Sequence, residues 1–229
     1  MGVKTRRSRV VLVNPNTDTG ATARMLASAR ARADGRLALK ALTAAHGAAL
    51  IINGAALAVA AEAVAALAPR LRQAADGVIV AGFADPGVDC LRTLLDIPIV
   101  GFGEAALEEA AHGYRRFGVI TTTPDLVASI DAKVATLGLA EHYGGVILTQ
   151  EDPVQMMNSR ALLEEQLLQA AERAADLGIV AVAVGGGPLA EAGRAIAGRT
   201  TMTLIDPIGA AVDRMLLELG ATDRGSVGL

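Results

Sequence analysis

Short apolar stretches alternate along the chain with longer segments rich in Ala, Leu, Glu and Arg. The short stretches lack period-two alternation, which is typical of parallel strands buried on both faces. They predict strands at residues 9–13, 37–42, 77–81, 97–100, 117–121, 145–148, 179–184 and 202–205. The longer segments predict helices at residues 19–32, 54–75, 88–95, 104–112, 125–137, 159–177, 189–197 and 208–219. This alternation indicates an α/β fold with mainly parallel sheets.

The two halves of the chain carry similar segments in the same order. The paired starts, at offsets of 107, 102 and 105 residues, are Arg9 with Arg116, Gly77 with Ile179, and Pro98 with Thr203. Three matches in one order predict a duplicated βα unit, and therefore two pseudo-symmetric three-layer α/β subdomains. We expect residues 1–100 with 205–229 to form one subdomain and residues 101–204 the other. A ligand site is expected between them, where carboxyl ends of strands face each other.

Four predicted strand-to-helix turns are rich in Gly, Pro, Asn or Thr, at residues 14–17, 82–87, 121–124 and 185–188. Backbone N–H groups and the helix dipole at such turns favour an anion, such as a carboxylate or a deprotonated ureide. A single turn of this kind is also explained by ordinary capping, but four at one sheet edge favour a site. The residues expected to contact substrate are Asn14, Asn16, Thr17, Phe83, Ala84, Thr121, Thr122, Thr123, Gly185, Gly187 and Pro188.

Few residues are placed to act as acids or bases. Asp85, in the second of these turns, could cap the next helix or act as a base. His46 follows the second predicted strand and could reach the same sheet edge. The one cysteine, Cys90, falls inside a predicted helix, where we expect it to be buried as a small apolar side chain. Residues 101–106 mimic a dinucleotide fingerprint, but Glu104 would face the pyrophosphate, which argues against a nucleotide.

Composition narrows the function classes. The 229 residues carry a formal net charge of −3 and only 2% aromatic residues, which argues against nucleic-acid binding. No uninterrupted apolar run reaches the roughly 20 residues of a membrane span. One Cys and three His give little basis for a metal site. We therefore expect a cytoplasmic protein with no metal, no nucleic-acid partner and no membrane partner. Ala-rich helical segments such as residues 55–68 also make us expect a homo-oligomer.

Taken in order, these turns resemble the aspartate/glutamate/hydantoin racemase superfamily, and within it the hydantoin and allantoin racemase branch. Residues 14–17 resemble the opening motif of that branch, and residues 82–87 resemble its first catalytic segment. Residues 101–106 resemble the strand and helix that follow, while residues 121–123 and 185–189 complete the series. The resemblance covers nearly the whole chain. It implies two α/β subdomains with a cofactor-independent site between them for a small anionic or ureide substrate.

In the family that this chain resembles, each half contributes one catalytic cysteine. One thiolate removes the substrate's α-proton, and the other thiol returns a proton to the opposite face. The resemblance places Gly82 and Gly186 at these catalytic positions, so both thiols are absent. Cys90 lies eight positions beyond Gly82, about two helical turns away, and does not replace either thiol. Asp85 and His46 are then the candidate proton carriers.

Three functions remain open from the sequence. The first is a racemase- or epimerase-like isomerase that transfers a proton at an acidic carbon without the cysteine pair. The second is a lyase of decarboxylase or retro-aldol type, or a hydrolase, on the same scaffold. The third is a metabolite-binding protein that has kept the pocket and lost the chemistry.

Overall fold

Two parallel sheets of four strands each form the centre of the molecule. The computed structural model describes residues 6–220, and the side chains of residues 153, 154, 157, 187 and 188 lie outside this description. The first sheet has the order β2-β1-β3-β4, with β1 (Arg9–Asn14), β2 (Ala38–Thr43), β3 (Gly77–Val80) and β4 (Ile99–Gly101). The second has the order β6-β5-β7-β8, with β5 (Phe117–Thr121), β6 (Tyr143–Leu148), β7 (Ala181–Gly185) and β8 (Thr203–Ile205). The identical order confirms the predicted α/β class with two repeated parallel sheets.

Helices connect the strands and lie on both faces of each sheet. They are α1 (Thr19–Ala33), α2 (Gly54–Ala65), α3 (Ala68–Ala74), α4 (Val88–Leu94), α5 (Phe102–Ala110), α6 (Val127–Thr136), α7 (Pro153–Asn158), α8 (Arg160–Asp176), α9 (Gly187–Ile196) and α10 (Pro207–Glu218). Side chains cap several of them, as where Asp18 Oδ1 accepts the Ala21 N–H at 2.9 Å at the start of α1. The short helix α7 was not predicted.

The single helix predicted at residues 54–75 is wrong, because this segment forms α2 and α3 with a bend of 46° between them. Pro69 in the first turn of α3 has no N–H to donate to a preceding carbonyl, so a continuous helix would be broken there. Within the part of the chain that the structure describes, no single helix is long and apolar enough to span a membrane. Only the bent pair α2 and α3, taken together, meets the length and composition of a span.

Each sheet is the middle of three layers. On the first sheet, α1, α5 and α10 pack against one face, while α2, α3 and α4 pack against the other. On the second sheet, α8 and α9 cover one face, and α5 with α6 cover the other. Helix α5 therefore belongs to both cores, with Phe102 buried on the first sheet and Leu107 on the second. This shared helix holds the two sheets next to each other. The carboxyl ends of β1, β3, β5 and β7 then lie around a common cleft.

Candidate functional site

A cleft lies between the two subdomains, at the carboxyl ends of their central strands. Its cavity of about 90 Å³ would hold roughly six to nine waters, at about 10–15 Å³ each, and so suits a small ring. The described lining residues are Pro15, Asn16, Leu50, Ile51, Leu57, Ala81, Gly82, Phe83, Ala84, Pro86, Thr121, Thr122, Thr123, Leu126, Ile130, Gly185, Gly186 and Leu189. Both halves contribute, as the resemblance implied.

Hydroxyl and amide groups form the polar part of the lining. Thr121 Oγ1 lies 2.9 Å from Thr123 Oγ1 and donates to the Gly185 carbonyl at 3.3 Å, which joins the ends of β5 and β7. Asn16 Oδ1 accepts from Asn14 Nδ2 at 2.8 Å and from the Asp18 N–H at 3.0 Å. These two bonds orient the Asn16 amide, so its Nδ2 is the end that it offers to a ligand. Asn16 Nδ2 is thus a donor held in place by the surrounding structure, whereas the hydroxyl protons of Thr121 and Thr123 are used within the protein.

Apolar side chains form the rest of the lining; sequence reasoning expected Phe83 and Ala84 among them but missed those from the loop between β2 and α2, from α2 and from α6. Leu50 and Ile51 come from the loop between β2 and α2, and Leu57 comes from α2. Leu126 and Ile130 lie four positions apart at and near the start of α6. The run of three large apolar residues, Leu50 to Ile52, inside a loop of otherwise mostly small residues was the available signal. The α6 pair has the spacing of any core-facing helix. Together they form apolar walls beside the polar groups.

Gly82 and Gly186 both line the cleft, one from each subdomain. A Cβ at Gly82 would lie 2.8 Å from Cγ of Pro15 and 3.1 Å from Cδ of Pro86. Gly186 has φ 139° and ψ 141°, a conformation that residues other than glycine rarely adopt. Two proline rings at Gly82 and the backbone conformation at Gly186 therefore oppose a side chain at the positions where the family resemblance places cysteine.

Asp85 lies behind the cleft wall, and its side chain is fully buried. Its carboxylate accepts the N–H groups of Gly103 at 2.7 Å and Glu104 at 2.9 Å, and lies 3.1 Å from Lys133 Nζ. Burial raises the pKa of Asp85 to about 6; Lys133 opposes this shift, and the charge of Glu104 adds to it. Phe83, Ala84 and Pro86 line the cleft around it, whereas Asp85 faces helix α5. A proton-carrying role for Asp85 stays a prediction.

Three other expected residues lie away from the described lining. His46 is exposed in the loop after β2. Asn14 is fully buried, and its Nδ2 donates to Thr22 Oγ1 at 2.9 Å, which gives it a role in holding the first turn. Thr17 donates its backbone N–H to Ala48 O at 3.2 Å and so ties this turn to the loop.

Cys90 is exposed on α4, so the expectation that it is buried is wrong. Its helix turns it away from the core that Val88 and Leu91 fill.

Two expected contacts, Gly187 and Pro188, lie outside the side chains that the structure describes. None of the described lining residues is an Asp, Glu, His, Cys, Lys, Arg or Tyr. In residues 6–220, as far as they are described, no three His, Cys, Asp or Glu side chains form a group that could hold a metal ion. The described lining is therefore suited to hydrogen bonding and apolar contact, and it supplies no charged group.

Two repeated parallel α/β sheets with a cleft between them are the fold of this protein. Comparison with known proteins identifies the family that shares this fold. The model of the Asp/Glu/hydantoin racemase family matches residues 10–215. An allantoin racemase from Klebsiella pneumoniae is 27% identical and has a TM-score of 0.86, with 95% of this chain and 91% of that chain covered. One from Pseudomonas fluorescens is 26% identical, with a TM-score of 0.85 and coverage of 96% and 99%. The chain belongs to the Asp/Glu/hydantoin racemase family.

A hydantoin racemase from Rhizobium meliloti is 31% identical over 156 residues. The matched segment is 65% of this chain and spans 62% of the length of that relative. These similarities confirm the predicted superfamily and its hydantoin and allantoin branch, and they support a racemase-like enzyme.

Proposed function

We propose that this chain is a racemase-like enzyme that acts on a small carboxylate or cyclic ureide without a cysteine pair. The observation that carries the proposal is the cleft of about 90 Å³ between the repeated sheets, lined by hydroxyl and amide groups within apolar walls. Hydrogen-bond donors fixed in such a site stabilise negative charge that develops on a substrate oxygen. Hydantoin and allantoin racemases are similar to this chain, which supports a ureide as the ligand.

The chemistry that these residues support is stabilisation of an enolate. Water or hydroxide in the cleft removes the proton next to the carbonyl, and the C–H electron pair moves into the enolate. The Thr122 hydroxyl donates a hydrogen bond to the enolate oxygen, and the Asn16 amide donates to another oxygen of the ligand, since both residues line the cleft. Water then returns a proton to either face of the carbon, which yields both enantiomers. Solvent replaces the two thiols as proton acceptor and donor.

The test is to incubate each enantiomer of 5-methylhydantoin and of allantoin with the protein in D2O. Proton NMR follows exchange at C5, and polarimetry follows loss of rotation, each against a control without enzyme. Thr122→Val should slow exchange by about 10²–10³-fold, as loss of an oxyanion donor does. Thr136→Val is the matched control, because Thr136 is exposed on α6 and bonds to Ala132 O. Exchange no faster than the control without enzyme would refute the enzyme proposal.

The pH dependence of exchange identifies the proton carrier. With hydroxide as the base, the logarithm of the rate should rise with a slope of about one between pH 5 and 8. A side-chain base instead gives an inflection at its own pKa. An inflection near pH 6 that disappears in Asp85→Asn would assign the proton to Asp85, whose pKa is about 6.

A second function, binding without turnover, is favoured by one observation. No described residue of the lining has a titratable side chain. A protein that only binds would be stabilised by the same hydantoins by about RT ln(1 + [L]/Kd), with no exchange above the control. A smaller product in the NMR spectrum would instead indicate the lyase or hydrolase alternative.

Two further expectations stay predictions: a homo-oligomer and a cytoplasmic location. The first can be tested by light scattering coupled to size-exclusion chromatography, where a single peak at the monomer mass of 23.3 kDa would contradict it.

A further inference from the structure

Helix α6 contributes both to the cleft and to a buried ion pair behind it. Leu126 and Ile130 line the cleft, and Lys133 lies three positions beyond Ile130 on the same side of the helix. Its Nζ reaches Asp85 Oδ2 at 3.1 Å, with the Asp85 side chain 0% exposed and the Lys133 side chain 20% exposed. Asp85 follows β3 and Lys133 follows β5, so this contact links one subdomain to the other.

The turn at residues 82–87, which carries Asp85, is held in a strained conformation. Asp85 has φ 53°, a left-handed value that is uncommon for a residue with a side chain. The turn also lies against the start of α5 so closely that a Cβ at Gly103 would be 1.8 Å from the Phe83 carbonyl oxygen. A strained turn persists only where its surroundings hold it, and here the bonds to the Asp85 carboxylate do so.

Several charged groups surround Asp85. Lys133 on α6 is the cation in direct contact with its carboxylate. Glu104 on α5 adds a negative charge nearby, and this carboxylate is paired with Arg92 of α4. A buried carboxylate beside a second carboxylate needs a close cation to remain ionised. Only an ionised Asp85 can accept from both N–H groups and from Lys133 with full strength.

We propose that Lys133 is a positioning residue for the cleft: it holds Asp85, and through Asp85 the turn at residues 82–87, in the conformation that lines the site. Phe83, Ala84 and Pro86 of that turn form part of one wall. Without Lys133 the turn leaves this position more often, and the ligand must then select the minor population that still has it. The inference rests on the proposed function only in taking the cleft to be the ligand site.

The test compares Lys133→Met with Lys40→Met, since Lys40 is exposed on β2. Hydrogen exchange of the ligand-free protein, read by mass spectrometry, should show that most of the protection is lost at residues 82–87 and at the Gly103 and Glu104 amides, because a tenfold loss of affinity requires that only about a tenth of the molecules keep the turn in place. Peptides from β1 and β5 should be unchanged. Lys133→Arg should restore most of the protection because it keeps the cation. Lys133→Gln serves as a second variant if Lys133→Met does not fold.

A binding measurement completes the test. The affinity for 5-methylhydantoin should fall by about tenfold in Lys133→Met, with the wild-type value kept in Lys40→Met. If the reaction is observed, KM should rise more than kcat falls, because the walls rather than the reacting groups are disturbed. Wild-type exchange rates at residues 82–87 in a folded Lys133 variant would overturn the inference. Failure of the wild type to bind or exchange any hydantoin would refute the proposed function, while the hydrogen-exchange comparison would still decide the role of Lys133.

Discussion

Restoring a thiol at residue 82 should destabilise the protein and give no two-thiol racemase. In Gly82→Cys the new Cβ would lie 2.8 Å from Cγ of Pro15 and 3.1 Å from Cδ of Pro86. Both contacts are with proline rings, which cannot rotate away as a flexible side chain can. Overpacking of this kind typically costs about 1–3 kcal/mol. In a protein of this size each kcal/mol lowers Tm by about 2–4 °C, so we expect a decrease of about 2–12 °C.

The measurement is thermal unfolding by circular dichroism under reducing conditions, with Gly54→Cys as the matched control. A Cβ at Gly54 meets no atom within 4 Å, so this variant should keep its stability within about 0.5 kcal/mol. In the double variant with Gly186→Cys, the second substitution adds the strain of a side chain at φ 139°. A wild-type Tm in Gly82→Cys would refute the packing argument. So would new racemisation by the double variant that iodoacetamide abolishes.

Three further predictions concern titratable groups. Asp85 has a folded-state pKa of about 6, above its unfolded value, so its contribution to stability falls as pH rises from about 4 to 6. The stability of the wild type relative to Asp85→Asn should therefore fall by about 3 kcal/mol over that window and then stay level, and a constant difference would contradict this. His46→Ala should leave C5 exchange unchanged, because His46 is exposed and outside the described lining; a large loss of exchange rate would make it a proton carrier. Cys90→Ala should keep full activity, since Cys90 is exposed on α4, and inactivation of the wild type but not of Cys90→Ala by iodoacetamide would contradict this.

The sequence predicts the strands well because each is a continuous apolar run. The strand at residues 117–121 was predicted with the observed bounds. The repeat that relates Arg9 to Arg116 appears in the structure as β1 and β5, each second in its sheet. Helix continuity was less predictable, because Ala-rich composition outweighed the effect of Pro69. Helix α7 has six residues, too few to show the apolar periodicity that predicts a helix.

The polar groups of the cleft and the turn at residues 82–87 could be predicted, whereas the apolar wall that comes from the loop between β2 and α2 could not. Asn16 and Thr121 directly follow strand ends, and parallel strands bring such positions to one edge. Leu50 reaches the cleft only because its loop folds back, which depends on contacts distant in sequence. The direction of the Asp85 side chain was equally hidden. The glycines at 101 and 103 were the sequence feature that could have indicated this direction. A Cβ at Gly101 would collide with Asp85 Oδ1, so a residue with a side chain does not fit there.

The glycines at residues 101 and 103 therefore make room for an internal carboxylate rather than for a phosphate. Asp85 occupies the N-terminus of α5, so this helix dipole is already satisfied and is closed to a ligand anion. Asp18 caps α1 in the same way at the first turn. Helix α9 differs, because its N-cap residue, Gly186, has no side-chain cap and itself lines the cleft. We therefore expect the developing negative charge to lie at the second-subdomain end of the cleft, beside the Thr122 hydroxyl. A ligand-bound structure with its negative oxygen at the Asn16 end instead would contradict this.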